Sequence, residues 1–252
     1  MNGINGKVAL VTGSSRGIGA AIARLFARHG VRVAVHGRDK TAIAAVQADI
    51  ERAGGKAMQV VADVTKFHEI ETMRREIERA FGPVQILVVN AGGSFTMPGP
   101  LEETKEEGWH ASVDGNLTAT FLTIKSFLPG MKERKAGNII TMSSMAGHRP
   151  HPRAPIPYSA AKAGIEILTK DLATQVGPYG IRVNCIAPET ILTERNKERI
   201  PEVQQQALIE AHPVRRLGTP EDVARAALFL VSEESAWITG IVLDVAGGAA
   251  MV

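Results

Sequence analysis

Residues 8–19 read Val8-Ala9-Leu10-Val11-Thr12-Gly13-Ser14-Ser15-Arg16-Gly17-Ile18-Gly19. Four apolar residues run straight into a glycine-rich turn, and Ala20 to His29 then reads as a helix stopped by Gly30. An apolar run without strict alternation is the pattern of a strand buried on both faces. A strand, a glycine turn and a helix in that order make a binding device. Glycine lets the backbone turn tightly and approach a pyrophosphate, whose charge the helix N-terminus favours. Gly13, Ser15, Arg16, Gly17, Ile18 and Gly19 are therefore candidates for holding a dinucleotide.

The same alternation continues outward from this turn. Further short runs rich in Val and Ile occur at Val31–His36, Ala57–Val61, Ile86–Asn90, Asn138–Met142, Ile181–Ile186 and Ile241–Val245, seven with the first. Between them the spacing predicts helices at Thr41–Ala53, Phe67–Phe81, Glu107–Lys132 and Tyr158–Val176, and Thr219-Pro220 opens another. Strands alternating with helices predict an α/β fold: one doubly wound, seven-stranded parallel sheet with helices on both faces. Such a sheet takes its ligand at the carboxyl ends of the strands. No repeat or linker divides residues 1–252, so a single domain is expected.

Composition agrees. The chain has 252 residues, of which 44% are apolar and 22% charged, enough to bury a core without disulfides. Cys185 is the only cysteine. A net charge of +3, with basic residues scattered and aromatics at 4%, argues against a nucleic-acid partner. No apolar run reaches the length of a membrane span, and Met1 to Lys7 lack the apolar core of a secretion signal. A cytoplasmic protein without membrane contact is expected.

The end of the second run bears on the choice of dinucleotide. NAD(H) sites usually place an acid there to hold the ribose hydroxyls. Here the chain reads His36-Gly37-Arg38, with no carboxylate before Asp39. Arg38, helped by Arg16, offers a planar fork for a phosphate, which favours NADP(H) over NAD(H); the alternative is a pair of solvated arginines. Asp63-Val64 follows the third run, where Asp63 either contacts adenine or only caps the next helix. Asn90-Ala91-Gly92 follows the fourth, as a cofactor wall or a plain turn.

Tyr158 and Lys162 stand four apart on a predicted helix and share a face. Ser143-Ser144 follows the fifth run, at the same edge of the sheet. Reducing a ketone needs a hydride and a proton. A phenol of pKa about 10 is a poor acid/base at neutral pH. An ammonium about 4 Å away, at an effective dielectric near 20, favours phenolate by about 4 kcal/mol, or roughly three pKa units. Lys162 is expected to lower Tyr158 in this way, and a serine hydroxyl to hold the substrate oxygen.

Taken together, Thr12-Gly13 with Gly17 and Gly19, Asn90-Ala91-Gly92, Asn116, Ser144, Tyr158-Ser-Ala-Ala-Lys162 and Asn184-x-x-Ala187-Pro188 resemble the short-chain dehydrogenase/reductase family over nearly the whole chain. The resemblance implies a Rossmann-like fold and a catalytic set of Asn116, Ser144, Tyr158 and Lys162. In it Ser144 positions the carbonyl and Tyr158 donates the proton. Lys162 binds the nicotinamide ribose, and Asn116 holds a water of the proton relay. Pro188, Ile191 and Thr193 would border the nicotinamide. The four-residue step from Tyr158 to Lys162 is shorter than that of the family's enoyl reductases. The overall pattern is most similar to 3-oxoacyl-acyl-carrier-protein reductases. That implies an acyl-carrier-protein or coenzyme A thioester as substrate, with a sugar, polyol or steroid-like alcohol as the alternative, and a homotetramer. A third reading, a dinucleotide-binding protein without catalysis, has the complete Ser-Tyr-Lys-Asn set against it.

Several positions depart from the pattern. Glu189 stands where glycine commonly follows Pro188, and Ser144 precedes Tyr158 by fourteen positions, one more than is usual. The intervening loop, 147–155, is rich in Pro, His and Arg. It reads as solvated and Pro-stiffened, or as a grip for an acidic substrate. His148 and His151 have no carboxylate or thiolate near them in sequence, so no metal site is expected. Lys132, Arg134 and Lys135 are the basic patch expected for carrier-protein docking near the mouth of the site, but Tyr179 occupies its second position. The substrate lid is expected between Thr190 and Pro213.

Overall fold

The strands alternate their side chains between two helical layers, and this alternation organises the computed structural model, which describes residues 2–249. Seven parallel strands form one sheet in the order β3-β2-β1-β4-β5-β6-β7. They are β1 Val8–Val11, β2 Arg32–His36, β3 Lys56–Val60, β4 Ile86–Val89, β5 Gly137–Met142, β6 Ile181–Pro188 and β7 Val242–Val245. In β1, Ala9 and Val11 face one layer, while Val8 and Leu10 face the other. The first layer is built on α1 (Gly17–Arg28), α2 (Lys40–Arg52) and α9 (Pro220–Val231), with Phe26, Ile43 and Val223 fully buried. The second is built on α3 (Phe67–Phe81), α5 (Ala119–Arg134) and α6 (Ile156–Val176), through Ile70, Met73, Ile77, Met131 and Val176. This is the expected doubly wound α/β domain. β1 and β4 are buried at every position and the edge strand β7 at none, as coverage from both faces requires.

One helical reading is corrected, and the expected lid segment contains helices that the sequence did not announce. The stretch expected as one helix from Glu107 to Lys132 is α4 (Glu106–Val113), a π-helical stretch Asp114–Thr118, then α5. The extra residue per turn gives no periodicity signal in a sequence, and such bulges gather at functional sites. The segment after Thr190 holds two short helices, α7 (Glu194–Arg199) and α8 (Glu202–Ala211). α8 buries no residue, so the apolar stripe that announces a helix is missing.

Order reverses at β1, whose neighbours β2 and β4 are followed by helices on opposite faces. A crevice therefore opens beyond the carboxyl ends of β1 and β4. The packing that sets β1 against α1 and α9 makes Phe26, with no exposed surface, the sensitive point of the first layer. Phe26→Ala is expected to lower unfolding stability by about 3 to 5 kcal/mol, measured by urea denaturation.

Candidate active site

The glycine-rich turn is fixed by close approach. A β-carbon on Gly19 would lie 2.4 Å from the Gly13 carbonyl, and one on Gly13, whose φ is +65°, 2.9 Å from Ala91 Cα. Thr12 Oγ1 accepts from the backbone N–H groups of both Asn90 and Ala91 at 3.0 Å. Asn90 Nδ2 donates back to the carbonyls of Thr12 and Gly13 at 3.0 and 3.1 Å. Asn90-Ala91-Gly92 is thus the wall facing the turn. On the other side, His36 Nδ1 accepts from the Gly13 N–H at 3.0 Å and Nε2 donates to the Ala62 carbonyl, also at 3.0 Å. Burial lowers the His36 pKa to about 4, so the ring is neutral and serves as a strut between three strand ends. Nothing in the sequence marked His36, because a strand-end histidine has no distinguishing pattern.

The candidate phosphate contacts lie at this same edge. Gly37 packs against Ser15: a β-carbon on Gly37 would come 3.1 Å from Ser15 Cβ. Arg38 is exposed and makes no hydrogen bond or ion pair among the described residues. Asp39 is spent, with Oδ1 capping α2 at the Ala42 N–H (3.1 Å) and Oδ2 pairing with Arg16 at 2.7 Å. Asp63 closes a turn with the N–H and hydroxyl of Thr65, and Val64 is buried in the second layer. The N-cap of α3 is Lys66, so the capping alternative for Asp63 is set aside. Pro188, the last residue of β6, and Ile191 beyond it are buried, and Ile18 packs on the first layer. Thr193 caps α7 and reaches to 3.1 Å from a β-carbon on Gly17. The fold therefore places these cofactor candidates at the carboxyl ends of five strands, β1, β2, β3, β4 and β6. Added side chains at Gly13 and Gly19 would strike backbone, so the turn stays bare main chain followed at once by the N-terminus of α1, an arrangement that fits a dinucleotide's pyrophosphate.

Across the crevice lie the chemical candidates. β5 ends at Met142; Ser143 and Ser144 follow, and Ser144 Oγ accepts from the Ala146 N–H at 3.3 Å. Tyr158 lies in the first turn of α6, with its phenol beside the Ser144 hydroxyl. Lys162, one turn later and 4% exposed, donates from Nζ to the Met142 carbonyl at 2.7 Å and lies 5.5 Å from the Tyr158 ring centroid. The expected lowering of the phenol by lysine is not found in this geometry. Burial pushes Tyr158 above its ordinary value and the Ser144 hydrogen bond only partly opposes it. Burial also brings Lys162 down to about 8. The reason is that desolvation disfavours both charged forms, while the ammonium is directed at a carbonyl. Asn116, in the π-helical stretch, spends its whole side chain on protein: Nδ2 donates to the carbonyls of Gly93 and Ser112, and Oδ1 accepts from the Gly93 N–H. Any water held by this residue must use its main chain.

Residues outside the expected set complete the site. Ser143 Oγ donates to Glu166 at 2.6 Å, and Glu166 also meets His148 Nδ1 at 3.0 Å; Asp244 lies 3.3 Å from His148 Nε2. Glu189, its side chain only 6% exposed, accepts from Arg149 and His151 at 3.2 and 3.1 Å. The reading of 147–155 as a solvated loop without nearby carboxylates is corrected: Glu166 of α6 and Glu189, just past β6, hydrogen-bond it, and Asp244 of β7 lies beside it. They are distant in sequence and meet only in the fold. Among the described residues no group of three or more His, Cys, Asp and Glu is placed to hold a metal. The placement of Lys132, Arg134 and Lys135 is also corrected. They end α5 before β5 begins, where Lys132 covers the Tyr179 ring and Arg134 binds the Val84 carbonyl. That is the amino edge of the sheet, a strand length of about 20 Å from Ser144 within the chain.

A parallel sheet that reverses beside a glycine cradle, with serine, tyrosine and lysine gathered at its carboxyl edge, defines a dinucleotide-linked oxidoreductase. The particular assignment comes from relatives. A family model described as enoyl-(acyl carrier protein) reductase matches residues 13–250. The chain is 39% identical to glucose 1-dehydrogenase 2 of Bacillus subtilis, over 97% of this chain and 95% of that protein. It is also 39% identical to the 3-oxoacyl-[acyl-carrier-protein] reductase FabG of Vibrio cholerae, over 99% of each. A 3-oxoacyl-[acyl-carrier protein] reductase from Brucella melitensis, solved with bound NAD, superposes with a TM-score of 0.89 at 35% identity, covering 98% of this chain and 92% of that one. The chain belongs to the short-chain dehydrogenase/reductase family. It is an oxidoreductase of the family's alcohol/ketone chemistry, and no helix among the described residues is long and apolar enough to cross a membrane.

His36 makes the cradle sensitive to pH. Its folded pKa lies below its ordinary value of 6.5, so the unfolded chain binds the extra proton first and stability falls as pH drops from 6.5 toward 4. The loss is expected to approach 3 kcal/mol, and His36→Leu is expected to lack that component of the slope in urea denaturation followed across this range.

Proposed function

We propose that the chain interconverts a ketone and a secondary alcohol with NADP(H), with Ser144, Tyr158, Lys162 and Asn116 as its catalytic set. The observation that carries this reading is the meeting of Ser144, Tyr158 and Lys162 at the crevice beside the glycine cradle. The bound nicotinamide would supply or accept the hydride. The Ser144 hydroxyl and the Tyr158 phenol are neighbours, so a substrate oxygen placed between them would be held from two sides. Because burial keeps the phenol protonated at neutral pH, Tyr158 is set to donate a proton to a developing alkoxide. Lys162 keeps a positive charge behind the phenol below pH about 8, and it is placed to bind the nicotinamide ribose. Asn116 locks Gly93 to the π-helical stretch and so sets the wall opposite Tyr158.

The preference for NADP(H) rests on β2. Its end carries no free carboxylate, because Asp39 is engaged by Ala42 and Arg16, and Arg38 stands unpaired beside the cradle. For the substrate, the FabG-like relatives favour a 3-oxoacyl thioester, whether on an acyl-carrier protein or coenzyme A. A sugar or polyol alcohol is the second reading, favoured by the glucose dehydrogenase relative and by the distance of the basic patch at Lys132 from the site.

Tyr158→Phe is expected to lower turnover at least a hundredfold, while NADPH affinity, read by fluorescence titration, stays within about twofold of wild type because the phenyl ring is kept. In the same titration NADPH is expected to bind more tightly than NADH, and Arg38→Ala to weaken NADPH by about tenfold or more. Equal affinities for the two cofactors would defeat the phosphate assignment.

A further inference from the structure

Glu189 and the 147–155 loop are two departures that the fold joins into one object. The loop leaves Ser144 and returns to Tyr158, so it borders any group attached to a carbonyl held between them. It carries Arg149 and His151, which lean on Glu189 at the carboxyl end of β6. His148 anchors the near end of the same loop between Glu166 and Asp244. Burial pushes the Glu189 carboxyl up, but the hydrogen bonds and charges of His151 and Arg149 outweigh that and hold it below its ordinary range. The carboxylate is therefore ionised and matched against the groups that would otherwise face the cleft. Glycine at this position would leave Arg149 and His151 without that partner.

We propose that Glu189 is a specificity-determining residue: it clamps the 148–153 loop into a fixed wall of the substrate cleft and cancels the positive charge that wall would otherwise present. A substrate portion lying against the wall is then selected for lacking a negative charge. The inference rests on the ketone–alcohol reading above, and it names the substrate class on that side of the site as uncharged. The device requires only that one buried carboxylate outcompetes a ligand for Arg149 and His151, since Glu189 is buried and already in contact with both.

Two measurements on the full chain test it. The first compares ethyl acetoacetate with acetoacetate, which differ in charge at one end, by NADPH absorbance in wild type and Glu189→Gln. The expected result is a shift in relative kcat/KM of at least tenfold toward the acid. It should come through KM, with kcat for the ester within about threefold of wild type, since the reacting groups are untouched. The second follows amide hydrogen exchange in wild type and Glu189→Gly, where amides of 148–154 are expected to exchange at least tenfold faster while those of β1 and β5 are unchanged. A selectivity shift under twofold, or unchanged exchange in the loop, overturns the proposal. If wild type reduces no carbonyl at all, the reading of the function has failed, and the exchange result by itself decides whether Glu189 holds the wall.

Discussion

Where a parallel sheet ends, its strands diverge and their last backbone groups lose their neighbours. Everything in the crevice depends on how those groups are satisfied. Thr12 answers for β4 by accepting from the N–H groups of Asn90 and Ala91, and His36 answers for the glycine turn by accepting from Gly13. With these polar groups paired inside the protein, the turn can pass close to Ala91. A charged imidazolium could not accept at Nδ1, so burial of a neutral His36 is a condition of the cradle's geometry.

The chemical side of the crevice obeys the opposite logic. There, titratable groups are buried close together and each charge is given a stated partner. Lys162 is pointed at the Met142 carbonyl, Glu166 receives Ser143 and His148, and Glu189 receives Arg149 and His151. Removing a partner from such a set leaves a desolvated polar group, which costs more than the contact itself contributed. Rigidity on this side therefore comes from paired charge. The two walls of the glycine turn, by contrast, are held by hydrogen bonds between backbone groups and the side chains of Thr12, Asn90 and His36, and by glycines without room for a side chain.

The sheet and the cradle were legible in the sequence because both depend on local pattern. Val8–Val11 followed by Gly13, Gly17 and Gly19 needs no distant residue to be read as a strand and a binding turn. The step from Tyr158 to Lys162 is equally local, being one turn of α6. What was not legible involved residues that meet across the fold. The π-helical stretch that carries Asn116 read as ordinary helix because it leaves the composition unchanged. His148 and His151 looked unaccompanied because Glu166, Glu189 and Asp244 reach them only through the packing of α6, β6 and β7. The basic cluster at Lys132 was misplaced because position along a chain does not say which end of a strand a neighbour occupies.

The sequence by itself determined the doubly wound sheet and the glycine-rich turn, since each follows from short-range periodicity and glycine placement, and its resemblance to the family singled out the proposed reacting side chains. Only the tertiary structure decided their electrostatics: that Tyr158 is raised by burial, that His36 is neutral, and that the loop beside the substrate is closed upon Glu189. The physical reason is that a pKa and an ion pair depend on distance and on exclusion of water. Both are set by residues far apart in the chain.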